Sequence, residues 1–225
     1  MRCADVLPYF KKAQNWNVPG DSSQHGDAGL LKVTAQAERS PLTETFIAAF
    51  KEAGILFNED LNGQEIEGCG YFPATLHKNA RGSTARTYLK AAKERANFTI
   101  VTGATVLRLV IDGHKVLGID YIAGGNIHQA TAQETVLSAG AVGSPEILQR
   151  SGIGPACILE AASVKVSHEL SGVGENLQDH FHYRSRWEID KPLTFFGRSA
   201  EDLAKAQRQF DQGRGPLTTN HFEPA

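Results

Sequence analysis

The chain is 225 residues long, 41% hydrophobic and 21% charged, with 23 Lys and Arg against 25 Asp and Glu for a formal net charge of -2. This length and balance support one or two domains with a real core, and no basic cluster is long enough to track nucleic-acid phosphates. Three scattered cysteines (Cys3, Cys69, Cys157), no long apolar run and no signal-peptide core in residues 1–20 argue against disulfides, thiolate metal sites and transmembrane segments, and for a reducing, cytoplasmic setting.

Residues 4–13 read as a short helix interrupted or begun at Pro8, and the polar stretch Gln14–Gly29 reads as loop. Ser40-Pro41 opens a helix to Ala53, with Leu42, Phe46, Ala49 and Ala53 on one stripe and Gly54 as its stop. The acidic, Gly-punctuated run Asn58–Gly70 is expected on the surface, and Tyr71–His77 as a strand. His77 lacks neighbouring partners for metal or acid–base chemistry. Ser83 reads as the N-cap of a helix over 83–95, with Arg81 and Arg86 as its basic flank.

From Asn97 the periodicity changes to that of strands: Phe98–Thr102, Thr105–Ile111, Val116–Ile122 and Ile127–Ala132, with turns at Asp112-Gly113 and Gly124-Gly125-Asn126. The residues alone imply a mixed sheet. A further strand, Thr135–Ser138, runs through a small-residue turn into a helix with Ser144 as N-cap, Pro145 first and Gly152 just past its end. Such a turn lets backbone approach a ligand closely, and the helix terminus favours an anion, so a nucleotide cofactor can sit here. The same pattern also describes an ordinary strand-to-helix connection.

Pro155–Ala162 looks helical, and Val164–Leu170 and Tyr183–Ile189 look like strands. Ser199 begins a helix with Leu203, Ala206 and Phe210 facing inward, ended by Gly213-Arg214-Gly215-Pro216. Asp179 and His180 are adjacent and need not face one another, so no catalytic dyad is read there. His180 and His182 can share a strand face, yet no third ligand accompanies them, and no metal is expected.

Four blocks stand in order with short spacers: Ser138-Ala139-Gly140-Ala141, Ser144-Pro145-x-Ile147-Leu148, Ser151-Gly152-Ile153-Gly154 and Gly172-x-Gly174-x-Asn176-Leu177-Gln178-Asp179-His180. Together they resemble the second signature region of the glucose-methanol-choline (GMC) oxidoreductases, FAD-dependent enzymes that oxidise alcohols. Asp5-Val6-Leu7-Pro8-Tyr9-Phe10 and the segment Gly213–Glu223 extend the resemblance over nearly the whole chain.

The resemblance implies a mixed α/β fold: part of an FAD-binding Rossmann-like domain with a β-meander, plus the start of an antiparallel-sheet substrate domain. It divides the chain into residues 1–77 (FAD interface and substrate-domain segment), 78–180 (FAD-binding part) and 181–225 (start of the substrate domain). Thr102-Gly103-Ala104-Thr105-Val106 is similar to the family segment whose Val backbone contacts adenine, and the loop Asn176–His180 lies near the flavin in the family. The implied FAD contacts are therefore Val106, Ser138, Ala139, Gly140, Asn176 and Asp179.

Thr219–Glu223 is worded like choline dehydrogenases and related FAD-dependent alcohol dehydrogenases, which makes Glu223, flanked by Phe222, the candidate partner of a quaternary ammonium. The resemblance also places the Gly-x-Gly-x-x-Gly loop before residue 1 and the catalytic His pair, or His and Asn, after residue 225. The chain thus reads as an internal fragment with no catalytic residue of its own. The expected activity is oxidation of a primary alcohol's CH–OH group by hydride transfer to FAD, with the electron acceptor unassigned. An oxygen-using oxidase and a non-catalytic scaffold remnant are the alternatives, and peripheral membrane association is allowed for the longer protein.

Overall fold

A computed structural model describes residues 2–21, 23–36, 39–77, 80–183, 185–191, 193–194 and 198–218. These form two units, one comprising Met1–Phe98 with Trp187–Ala225, the other Thr99–Arg186.

In the first unit, helix α1 (Cys3–Ala13) has Asp5 accepting from the Arg2 N–H at 2.7 Å and Lys11 and Lys12 in its last turn, charges that suit the helix dipole. The helix runs through Pro8, giving up only the one hydrogen bond that proline cannot donate. Strand β1 (Gln14–Asn17) lies within the stretch expected as loop and pairs in parallel with β2 (Leu31–Thr34). Its polar letters hid it because its support is tertiary: the Trp16 ring stacks on His25 at 3.6 Å and 2°. His25 Nε2 in turn meets Asp60 Oδ2 at 2.8 Å, with both side chains buried.

Helix α2 (Pro41–Glu52) starts as expected, the Ser40 hydroxyl accepting from the Leu42 N–H at 3.2 Å. Its buried positions are Thr43 and Ile47, whereas Phe46 is 52% exposed, so the inward face sits one residue on from the expected stripe. Of the strand expected over Tyr71–His77 only β3 (Leu76–His77) forms, paired antiparallel with β4 (Ala80–Arg81). Helix α3 is only Tyr88–Ala92, because residues 84–87 form a turn before it.

The second unit is built on a meander of β5 (Ala104–Asp112), β6 (Lys115–Ala123) and β7 (Asn126–Thr131), antiparallel in the order β5-β6-β7. Asp120 on β6 accepts from Arg108 Nε and Gln129 Nε2, each at 2.9 Å, which ties the three strands together. These two hydrogen bonds, Gln129 first, hold the Asp120 carboxyl below the ordinary carboxylate range. Phe98–Thr102 and Thr135–Ser138 are not strands: no segment among the described residues pairs with either, and a strand exists only by its ladder.

Helix α4 (Gly140–Arg150) is followed by β8 (Ile153–Gly154), α5 (Ala156–Ala161) and β9 (His168–Glu169), with β8 and β9 parallel. The strand expected at Val164–Leu170 is thus reduced to two residues. Leu109, Ile147, Leu159 and Val173 form the buried core of this unit. The described residues of 183–189 contain no strand. Back in the first unit, α6 (Ala200–Asp211) is capped by Ser199, whose hydroxyl accepts from the Asp202 N–H at 3.1 Å, and it buries Ala206.

Candidate functional site

The turn into α4 is tighter than the Ser-Pro pair suggests. The helix begins at Gly140 with Ala139 as N-cap, so Ser144 is not the cap. Instead, its hydroxyl reaches back one turn and accepts from the Ala139 N–H at 3.0 Å, satisfying a donor at the helix start from inside the helix. Gly140 turns the chain with φ +88°, and a Cβ built there would meet nothing within 4 Å. Ser138, Ala139 and Gly140 are exposed, Val136 is 81% exposed, and the Thr135 hydroxyl is buried without a partner among the described residues.

Across α4 stands the loop after β9. Val173 is buried, and its carbonyl accepts from Gln149 Nε2 at 3.2 Å. Gly174, at φ +85°, passes so close that a Cβ there would stand 2.7 Å from Gln149 Nε2. Asn176 holds φ +54°, a conformation Asn tolerates better than most side-chain-bearing residues. Between helix and loop lies a cleft of about 750 Å³, lined in part by Ala141, Val142, Pro145, Gln149, Asn176 and Leu177.

The expected cofactor residues take different places around this frame. Asn176 lines the cleft, and Ser138, Ala139 and Gly140 lead directly into the helix that forms its wall. Val106 sits half-buried on β5, the strand whose outer edge has no strand partner among the described residues, opposite Tyr121 and beside a register shift. Asp179 is exposed, and its carboxylate accepts from the His180 N–H at 2.8 Å. Glu223 lies outside the described residues. Among the described residues no group of three His, Cys, Asp or Glu gathers as a metal site.

Two residues that define the frame carried no assigned role in the sequence. Gln149 holds the loop through Val173. Ser151 docks β5 on the end of α4, its hydroxyl accepting from the Leu109 N–H at 2.8 Å and donating to the Ile147 carbonyl at 2.5 Å. The available signal for Gln149 was the pair Gly154 and Gly174, both of which leave it room.

The second unit is thus a mixed α/β arrangement in which a three-stranded meander is joined to a helix through an exposed small-residue turn. The family model "GMC oxidoreductase" matches residues 1–182, and the chain belongs to this family, whose cofactor is FAD. An oxygen-dependent choline dehydrogenase of Pseudomonas putida KT2440 is 41% identical over 197 residues, 85% of this chain and 35% of that protein. The chain therefore spans about a third of the length of that curated relative. The crystal structure of pyridoxine 4-oxidase from Mesorbium loti is 34% identical with a TM-score of 0.70, covering 75% of this chain and 33% of that one. An FAD-dependent oxidoreductase from Chaetomium thermophilum shares the fold at TM-score 0.84 and 23% identity, over 98% of this chain and 42% of its own.

Proposed function

We propose that this chain supplies part of the FAD cradle of an enzyme that oxidises the CH–OH group of a primary alcohol, choline being the first substrate to try. The observation that carries this reading is the turn at Gly140, where exposed backbone at φ +88° with empty space above it opens an eleven-residue helix. The residues fit a dinucleotide. A Cβ-free turn admits close approach, the first-turn N–H groups of α4 favour an anion, and the orphaned Thr135 hydroxyl sits at the entry to the turn.

In this reading Ser138, Ala139 and Gly140 line the cofactor with backbone, Asn176 bounds it from the opposing loop, and Val106 offers peptide groups to the adenine edge. Asp179 completes the loop's approach to the flavin. FAD supplies the hydride acceptor for the carbinol carbon. This chain's part is binding, orientation and exclusion of water, and no residue in it is assigned as the base that removes the hydroxyl proton. Choline is favoured because the P. putida relative is named for it, with Glu223 proposed as the partner of the ammonium. The three unpaired cysteines suit a cytoplasmic location, and no helix among the described residues is long and apolar enough to cross a membrane.

The test is anaerobic mixing of the intact protein with choline and with a neutral primary alcohol, followed by admission of oxygen or a dye. Loss of the oxidised-flavin absorption on adding choline supports the proposal, and the reoxidant identifies the electron acceptor. A flavin that no alcohol reduces would overturn it.

A further inference from the structure

The loop after β9 holds two left-handed residues close together, Gly174 at φ +85° and Asn176 at φ +54°, and both line the cleft beside α4. Glycine adopts that conformation freely, whereas a residue with a side chain is kept there by its surroundings. The loop's own backbone bonds are local turns, from the Val173 N–H to the Leu170 carbonyl at 3.1 Å and from the Glu175 N–H to the Gly172 carbonyl at 3.3 Å. Among the described residues, the one side-chain hydrogen bond between α4 and this loop runs from Gln149 Nε2 to the Val173 carbonyl, at 3.2 Å.

Two glycines make room for that side chain. A Cβ at the buried Gly154 would stand 3.2 Å from Gln149 Cγ, and one at Gly174 would stand 2.7 Å from its Nε2. Helix α4 therefore carries the Gly140 turn at its start and, near its end, the residue that fixes the opposing loop, with the cleft of about 750 Å³ between helix and loop. A ligand held from two sides binds more tightly when their spacing is set beforehand, because less is ordered on binding.

We infer that Gln149 is a positioning residue for FAD: its amide fixes the loop that bears Asn176 against α4 and so presets the spacing of the two sides of the cofactor site. The inference rests on the reading of this site as an FAD cradle. Without the amide donor the loop populates other positions, and the apparent dissociation constant rises in proportion as the binding-competent fraction falls. One hydrogen bond of ordinary strength corresponds to about a tenfold change.

The test is titration of FAD into the intact, deflavinated protein, followed by flavin fluorescence. Gln149→Met keeps the length of the side chain without its donor and should bind FAD about tenfold more weakly than the parent. Gln129→Met is the matched control: it removes an amide donor to Asp120, a 2.9 Å bond within the meander, and should leave the affinity at the parent's value. Gln149→Glu gives a readout that loosened packing alone would not move. The ionised carboxyl cannot donate to the Val173 carbonyl, whereas the protonated one can. Its deficit against the parent, measured at each pH, should therefore be about tenfold at about pH 8 and narrow towards about pH 5; Glu146 and Glu175, which line the same cleft, favour the protonated form.

An affinity unchanged in Gln149→Met, an equal loss in Gln129→Met, or a deficit in Gln149→Glu that ignores pH would each overturn the inference and leave the FAD site standing. A parent that takes up no FAD would overturn the reading of the site and this inference with it.

Discussion

Ser151 occupies the place of a strand partner for Leu109. The Leu109 N–H points off the open edge of β5, and the Ser151 hydroxyl at the end of α4 accepts it at 2.8 Å. The strand bearing Val106 is thereby fixed to the helix that begins at Gly140. Ser151→Ala leaves a part-buried N–H unpaired and should cost about 1–3 kcal/mol of stability. The denaturant midpoint of the intact protein checks this, and a midpoint within error of the parent would show that the bond contributes nothing.

Gly174 and Gln149 form a second coupled pair. Gly174→Ala introduces a Cβ 2.7 Å from Gln149 Nε2 at a φ of +85°, so it both strains the backbone and drives Gln149 from the Val173 carbonyl. The strain alone should cost about 1–2 kcal/mol. In a Gln149→Ala background the steric part disappears, so the two changes should combine to less than their sum. Strict additivity in the double-mutant cycle would contradict the contact.

How far the sequence discloses this frame depends on where each element finds its support. The meander is legible because alternation and Asp-Gly or Gly-Gly turns are local signals, and α2 and α6 because their serine caps are local too. Strand β1 is not legible, since its stability comes from a strand 14 residues later in the chain and from the His25 ring on Trp16. The start of α4 is misread because Ser-Pro is a strong opening signal, while the actual turn is made by Gly140 and the Ser144 hydroxyl points backward. Thr135–Ser138 has the letters of a strand without a ladder to join among the described residues. Within the site, Ser138–Gly140 and Asn176 stand out as motif letters. Gln149 and Ser151 act on residues 24 and 42 positions away, which no local pattern reports.

Asp120 sets an acid limit on the meander. Its hydrogen bonds to Gln129 and Arg108 lower its folded-state pKa below the unfolded value. The linked stabilisation is therefore full above the unfolded pKa of about 3.9 and is lost as pH falls through the folded value. Denaturation midpoints compared between neutral pH and pH about 3 should fall more steeply for the parent than for Asp120→Asn, which has no such carboxyl to protonate. Parallel pH profiles would show that another group governs the acid limit.

The central claim is that the Gly140 turn lies against FAD, and flavin content measures it directly. In the intact protein, Gly140→Leu should purify with less than about a tenth of the parent's flavin, because the side chain enters the space the cofactor needs. Gly113→Leu is the matched control: Gly113 also has a left-handed φ, +57°, and open surroundings, but it lies in the hairpin turn between β5 and β6. The account requires Gly113→Leu to keep its flavin while Gly140→Leu loses it; full flavin in Gly140→Leu, or equal loss in both, would contradict the assignment of this turn to the cofactor.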